Sequence, residues 1–363
     1  MDIHSLDFAR KEEIWMKSTA GILKKPSGSS GKPKPKEIAL WKDLKKAFAL
    51  DRESLAGLKA LYQKEMMDNI RSRRFMMILA VIIITSYASL YGALSGLSSD
   101  SDYIFLSLYT TSGNSIPSFM SFIALLGPFV GIILGFDGIS GEKSERTLYR
   151  IAAQPIYRDS IINGKFLAGT TLIFLMVFTM GISVGAAGLL VTGIPPSLEE
   201  VGRVFFYLIF TSVYICFWLG LSLWFSVVCK NAAASAMASI GVWLFFALFM
   251  SLVAGIIANA IYPLNNDWQV LTNSMGNYTL ELNLNRLSPY YLYSEAASTI
   301  MNPSVRAVNV ITVESLSGAI SGYLSLGQSL LLVWPHLAGL IALMLITFAG
   351  SYICFMRQEI RSK

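Results

Sequence analysis

The chain has 363 residues, of which 54% are hydrophobic and only 14% charged, with a mean hydropathy of +0.54. Soluble domains carry about a quarter charged residues, so this composition excludes an ordinary soluble enzyme or binding module. The net charge of +6 gathers ahead of the first long uncharged stretch, which favours a membrane surface or protein partners and gives no support for nucleic acid. Three cysteines in or beside apolar runs, none in a CxxC pair, and two histidines argue against a disulfide framework or a metal cage, so no metal site is expected.

In chain order, residues 1–52 form an N-terminal extension in which "KKPSGSSGKPKPKE" (24–37) has the composition of a disordered linker. There is no h-region of a cleavable signal peptide there, so the first apolar span is expected to be an uncleaved anchor. Residues 53–74 place Leu55, Leu58, Leu61, Tyr62, Met66 and Ile70 on one helical face and end in "RSRRF", the pattern of an amphipathic helix lying at a membrane interface among lipid headgroups. From 75 to 363 the pattern is that of an all-α polytopic membrane protein. Six apolar spans, at about 75–96, 117–137, 166–192, 204–228, 232–262 and 328–356, each exceed the roughly 20 residues needed to cross a hydrocarbon core. The fifth is longer than one crossing needs, and a tilt or break is expected near Gly255.

The loop charges orient these spans. Residues 97–116 contain Asp100 and Asp102 and no lysine or arginine, whereas 138–165 contains Lys143, Arg146, Arg150, Arg158 and Lys165. The positive-inside rule places the latter loop and both termini in the cytoplasm of a plasma-membrane protein. Arg203, at the outer end of span four, is expected to snorkel to the headgroups. Asp137 and His336 are ionisable groups near apolar spans and have no evident buried partner in the sequence. That leaves ion-coupled transport with little support.

The outer segment 263–327 is too long for a bare loop and is read as a small subdomain. "YTLELNLN" (278–285) alternates Leu280, Leu282 and Leu284 with polar residues, so a short strand or hairpin is expected. Ser288 as N-cap and Pro289 at the first helical position predict a helix over 288–303, on the outer surface or dipping into the membrane.

The loop after span two, "GISGEKSERTLYRIAAQP" (138–155), carries the functional question. Gly135, Gly138, Gly141, Lys143 and Ser144 approximate a phosphate loop, but Glu142 separates glycine from lysine and would oppose a phosphate. The apolar run before it is also too long for a strand. No nucleotide site is read here, and no cofactor is expected in this chain. As a helix, the stretch sets Glu142 and Arg146 at i,i+4, gathers Leu148, Ile151 and Ala152 on an apolar face, and is stopped by Pro155. A short helix with an apolar face and a charged rim suits docking to another protein.

"GEKSERTLYRIAAQPIYRDSIINGK" (141–165) resembles the loop between spans two and three of ABC-2 type permeases, the membrane subunits of ABC exporters. Gly141, Glu142, Thr147, Leu148, Pro155, Arg158, Gly164 and Lys165 match. Arg146 departs from the pattern, standing where that family often has glycine. The six-span layout and the outer segment resemble that family too, over about residues 53–363. The resemblance implies a fold of the type V exporter kind and a coupling helix that inserts into a separate ATPase subunit. Glu142, Glu145, Arg146, Thr147, Leu148, Arg150, Ile151, Pro155 and Arg158 are the residues placed there. It also implies two copies of that ATPase subunit, which would bind ATP and Mg and hydrolyse the ATP, beneath two permease chains, identical or paralogous. Spans two and five would line the path, with Phe122, Phe129, Phe245, Phe246 and Phe249 as candidates. Gly127, Gly131 and Gly135, and Gly181, Gly185 and Gly188, form small-residue faces for packing within the chain or across a dimer seam. The absence of charge within the spans favours an amphiphilic or apolar cargo: a lipid, drug or peptide. A non-transporting scaffold or sensor that uses the same loop, and an ion-coupled carrier, are the alternatives.

Overall fold

The computed structural model describes residues 56–96, 103–113, 116–152, 157–264, 267–303 and 324–358, all within the unit Ser54–Lys363. The extension 1–52 with its linker, and Pro155, lie outside the described residues. Among the described residues there are helices and no strands.

A first helix, α1, covers 56–71. It is followed by α2 (Arg73–Gly96), a short α3 (Ile104–Thr110), α4 (Phe119–Gly135), two short loop helices α5 (Ser140–Ser144) and α6 (Thr147–Ala152), α7 (Arg158–Thr192) and α8 (Leu198–Val228). Then come α9 (Ala232–Leu244), a π-helical turn (Phe245–Phe249), α10 (Met250–Ile261), α11 (Asp267–Asn285), α12 (Pro289–Met301) and α13 (Leu326–Arg357). Six helical stretches are long and apolar enough to cross a membrane: α2, α4 through α5 (Phe119–Ser144), α7, α8, α9 through α10, and α13. The chain is therefore a multi-pass membrane protein.

α8 is the axis of the bundle. Its side chains Tyr207, Phe210, Tyr214, Ile215, Trp218 and Leu219 are buried, and α4, α7, α12 and α13 pack around it. Its start is fixed by a capping box: Ser197 Oγ accepts from Glu200 N at 3.2 Å, and Glu200 Oε2 accepts from Ser197 N at 2.8 Å.

The two glycine faces explain how closely the helices approach. A Cβ added at Gly131 would lie 2.5 Å from the Ile215 carbonyl oxygen and 2.8 Å from Leu219 N, and one at Gly135 would lie 2.9 Å from the Leu219 carbonyl oxygen. α4 thus runs backbone to backbone against α8, with Gly127 against the Ile215 side chain. Gly181 meets Leu208, Gly185 meets Tyr109 and Phe105, and Gly188 meets Leu108. Both faces are consumed by packing within this chain. Gly131→Ala is expected to cost about 1–3 kcal/mol, because backbone atoms of α8 cannot move aside as a side-chain tip can. Unfolding of the purified variant in detergent would check it.

Three expectations need correction. Residues 278–285 are the second half of α11, not a strand. The alternating leucines carry no sheet face, because Asn277, Leu282 and Asn285 are the buried positions, at helical spacing. Asn277 Nδ2 donates to Asn259 Oδ1 and to the Tyr262 carbonyl, both at 2.8 Å, and this folds α11 back onto α10. The long fifth span is interrupted at Phe245–Phe249, where Met250 N donates to the Phe245 carbonyl five residues back. Gly255, where the break was expected, lies inside the regular helix α10.

Arg203 does not snorkel outward. Its side chain is fully buried, and its guanidinium donates to the Ile300 carbonyl (2.7 Å), the Leu324 carbonyl (2.5 Å), Ser329 Oγ (3.2 Å) and Glu199 Oε1 (3.0 Å). Four acceptors at one planar fork outweigh the headgroup alternative. The 288–303 helix forms as expected, with Ser288 Oγ accepting from Tyr291 N and Pro289 at its first turn. It enters the bundle: Tyr293 stacks on Tyr214 with ring centroids 4.3 Å apart and shares a hydrogen bond with Thr211 at 2.9 Å.

Candidate coupling site

The loop between α4 and α7 is fastened to the bundle at its start. Ser226 Oγ on α8 accepts from both Ile139 N and Ser140 N at 3.0 Å. These are backbone donors at the start of α5 with no earlier helical carbonyl to use, so a serine on the neighbouring helix takes their place. A second apolar cluster seals this end of the molecule: Leu61 of α1, Ile139, Leu148, Ile161, Ile162, Leu223, Val227 and Phe355.

An ionic cluster joins three elements beneath that cluster. Lys165 Nζ on α7 lies 2.8 Å from Glu65 Oε1 on α1 and 2.8 Å from Glu142 Oε1 on α5. Lys64 adds contacts to Glu65 at 3.0 Å and to Glu142 and Asp68 at 3.4 Å. Lys165, Glu65 and Glu142 are largely buried, with side-chain exposures of 6%, 10% and 14%. Burial would raise the Glu65 carboxyl, but Lys165 and Lys64 outweigh it and hold it below the ordinary glutamate value. Burial would lower the Lys64 ammonium, and Glu65, with Glu142 and Asp68, more than reverses this. α1 can approach so closely because it crosses α7 at Gly164, where an added Cβ would lie 3.2 Å from Leu61 Cβ. The cluster borders a cleft of about 580 Å³, which Arg74, Asp137, Glu145, Thr147 and Arg150 also line. Asp137, which lacked an evident partner in the sequence, is ion-paired with Arg74 of α2.

The loop is two helical turns, not one helix. Between them Arg146 has φ 57°, the left-handed region, and its N–H closes onto the Lys143 carbonyl at 3.2 Å. Arg146 thus occupies the position after a helix end that favours glycine, at a cost of roughly 1–2 kcal/mol for a residue with a Cβ. The break also removes the expected Glu142–Arg146 pairing: Glu142 turns to Lys165 and Lys64 instead.

The sequence-derived site residues divide accordingly. Leu148 faces inward and is buried in the apolar cluster, so it offers no docking face. Ile151 lies in α6. Thr147 Oγ1 donates to the Glu142 carbonyl at 3.3 Å. Arg158 caps α13, donating to the Phe355 and Gln358 carbonyls at 3.2 and 2.7 Å. Glu145, Arg146 and Arg150 are exposed. Sequence reasoning missed Glu65, Lys64 and Ser226. The signal for Glu65 was an acid on the apolar side of an otherwise amphipathic helix.

Of the aromatic residues, Phe129 packs on Trp243 at 4.6 Å and brings span two against span five. Phe122 is half-buried, Phe246 packs on the core, and Phe245 and Phe249 are 44% and 53% exposed. At the opposite end of the bundle His336 does have a partner: its Nε2 lies 2.8 Å from Glu295 Oε2. Arg286 holds the same carboxylate at 2.8 and 3.0 Å. Burial would raise the Glu295 carboxyl, and His336 and Arg286 bring it below the ordinary value.

Comparison with known proteins agrees with this architecture. The ABC-2 family transporter protein model matches residues 59–360. The chain is similar to a probable ABC transporter permease protein NosY of Stutzerimonas stutzeri, 26% identical over 308 residues, covering 82% of this chain and 96% of that protein. It is also similar to the probable ABC transporter permease protein NosY of Pseudomonas aeruginosa, 26% identical over 225 residues, covering 60% of this chain and 78% of that one. A match from α1 to the end of the last span, on a six-span bundle with a fastened loop after the second, places the chain in the ABC-2 family as a membrane permease subunit of an ABC transporter.

Proposed function

We propose that the chain is the permease of an ATP-driven exporter, with the 136–157 loop in the cytoplasm, and that it moves an amphiphilic or apolar cargo. Two copies would sit over two ATPase subunits, which bind and hydrolyse ATP with Mg; the permease itself carries out no hydrolysis. One observation supports this most: the loop is bound by ionic contacts to both α1 and α7, through Lys165. A push on the loop then displaces the interfacial helix and span three together, whereas a loosely tethered loop would absorb it. Family membership supplies the expectation of an ATPase partner, and the positive-inside rule supplies the orientation.

Co-expression with an ATP-binding-cassette ATPase subunit, followed by purification and reconstitution, tests it. A complex is expected, together with ATP-dependent movement of a fluorescent phospholipid analogue. A complex with no transport would leave the scaffold reading. The Glu295–His336 contact favours the other alternative, an ion-coupled carrier. Such a carrier would work in vesicles with no ATPase subunit present.

A further inference from the structure

A groove of about 310 Å³ lies in the flank of the bundle, at the end of α7 away from the loop. Phe105 and Tyr109 of α3 form one wall, Phe178 and Ala186 of α7 the floor, and Val201 and Phe205 of α8 the other wall. Gly185 and Ala186 bring no bulk to that floor, which leaves it hollow. The groove is open along one side, where Ile182 and Phe205 are 62% and 50% exposed. Every lining side chain is apolar except Tyr109, whose hydroxyl donates to the Gly181 carbonyl at 2.9 Å and is thereby satisfied.

The occupant follows from where the groove lies and from its length. Its walls belong largely to α7 and α8, two helices that cross the membrane, so the open side faces hydrocarbon. Phe178 and Phe205 meet edge to face at 5.8 Å and close its deep end, and Leu189 and Pro196 mark the other end. From Phe178 to Leu189 the helix rises about 16 Å, close to half of a hydrocarbon core of about 30 Å. With no charge and no free hydroxyl in its walls, the groove has nothing to hold a headgroup or a polar cargo. A helix of another chain, about 10 Å across, does not enter a space of this size, whereas a single hydrocarbon chain does.

We infer that this groove is a resident-lipid site. It holds one acyl chain of a phospholipid from the leaflet on the side away from the 136–157 loop, with the headgroup at the level of Pro196. The site requires only that α7 and α8 cross the membrane, and it stands or falls apart from the exporter reading above. Left empty, the hollow would deprive Phe105 and Tyr109 of contacts on one side. An acyl chain supplies those contacts and becomes a packing partner of α3, a helix of only 7 residues. Lipid tails are as apolar as the walls, so the preference of a chain for the groove comes from shape and contact and is modest.

The test uses the full-length chain in vesicles of phosphatidylcholine doped with a phosphatidylcholine that carries a photoactivatable diazirine in one acyl chain. After illumination, adducts are located by mass spectrometry. Labelling at Ile182, Val201 and Phe205 is expected to exceed that at Leu331 and Trp334, exposed residues in the corresponding half of α13, by about threefold. Ala186→Trp lays a ring in the groove and is expected to bring the labelling down to the α13 level without lowering the melting temperature. Val201→Trp fills the groove from the opposite wall and gives the same reading should Ala186→Trp not fold. Leu345→Trp, on the open flank of α13, is expected to leave the excess untouched. Labelling of the wild-type groove no higher than that of α13 would overturn the inference, and so would an excess that survives both filling variants. Groove residues labelled below the α13 level would overturn it too, by showing that a second copy or another part of the chain covers the opening.

Discussion

Replacing Lys165 by Met is expected to lower stability by about 3–5 kcal/mol, the range for breaking a buried ion pair from one side. Among the described residues the ammonium is the only group that meets both Glu65 and Glu142 at 2.8 Å; Lys64, nearly half exposed, reaches them at 3.0 and 3.4 Å and is a weaker substitute. The variant would leave carboxylates in a largely buried place, with Glu142 Oε2 already buried and without a hydrogen-bond donor among the described residues. The loss should show in denaturant unfolding of the detergent-solubilised chain. Adding Glu65→Gln and Glu142→Gln to Lys165→Met should restore much of it, because neutral amides need no counter-charge. Recovery would separate an electrostatic cause from lost packing of the lysine stem. The pH dependence has a definite sign. The Glu65 carboxyl is held below its ordinary value, so its contribution is complete above the ordinary glutamate range. It disappears as pH falls through the lowered folded value. The wild type should therefore surpass the variant at neutral pH and converge with it only in acid.

Arg203→Met is the second large effect, again about 3–5 kcal/mol. Removing the guanidinium leaves the buried Ile300 carbonyl and Ser329 Oγ, and the part-buried Leu324 carbonyl, without this donor. Buried acceptors that lose their donor carry their desolvation penalty in full. Arg203→Lys should recover little, since one ammonium cannot reproduce a fork that reaches α12, α13 and the start of α8 at once. Hydrogen exchange would localise the damage: the end of α12 and the first turn of α13 should lose protection, while the α4–α8 contact keeps it. Uniform loss across the bundle would argue that Arg203 supports the whole fold and not this junction alone.

These two residues also show where reading the sequence reached its limit. The six spans were legible because long apolar runs have few alternatives in a chain this hydrophobic. The Ser288–Pro289 start of α12 was legible because capping is a local matter. What was not legible depends on distant partners. Arg203 was assigned to the headgroups because Ile300, Leu324 and Ser329 are about a hundred or more positions away. His336 lacked a partner for the same reason, with Glu295 in another element. The error at 278–285 was of another kind: alternating leucines satisfy a period of two, yet helix packing used Leu282 with Asn277 and Asn285. In the loop, the residue types were read correctly as an unusual charged stretch, but the assumed single helix gave Leu148 the wrong face. The glycine-like conformation at Arg146 breaks that helix, and nothing in an arginine announces it.

One hydrogen bond at the far end of the bundle bears on how the protein can change over time. Leu324 N donates to the Pro303 carbonyl at 3.0 Å, and Arg203 grips residues on both sides of that junction. Pro303 and Leu324 are thus neighbours in space, although twenty positions separate them in the sequence. Twenty residues or sixty between Pro303 and Leu324 would impose the same geometry on α12 and α13, because loop-closure entropy grows only slowly with length. The junction of α12 and α13 is therefore set by its own contacts and not by the length of chain that links them. A longer or shorter link between Pro303 and Leu324 should leave the Arg203 contacts at this junction in place.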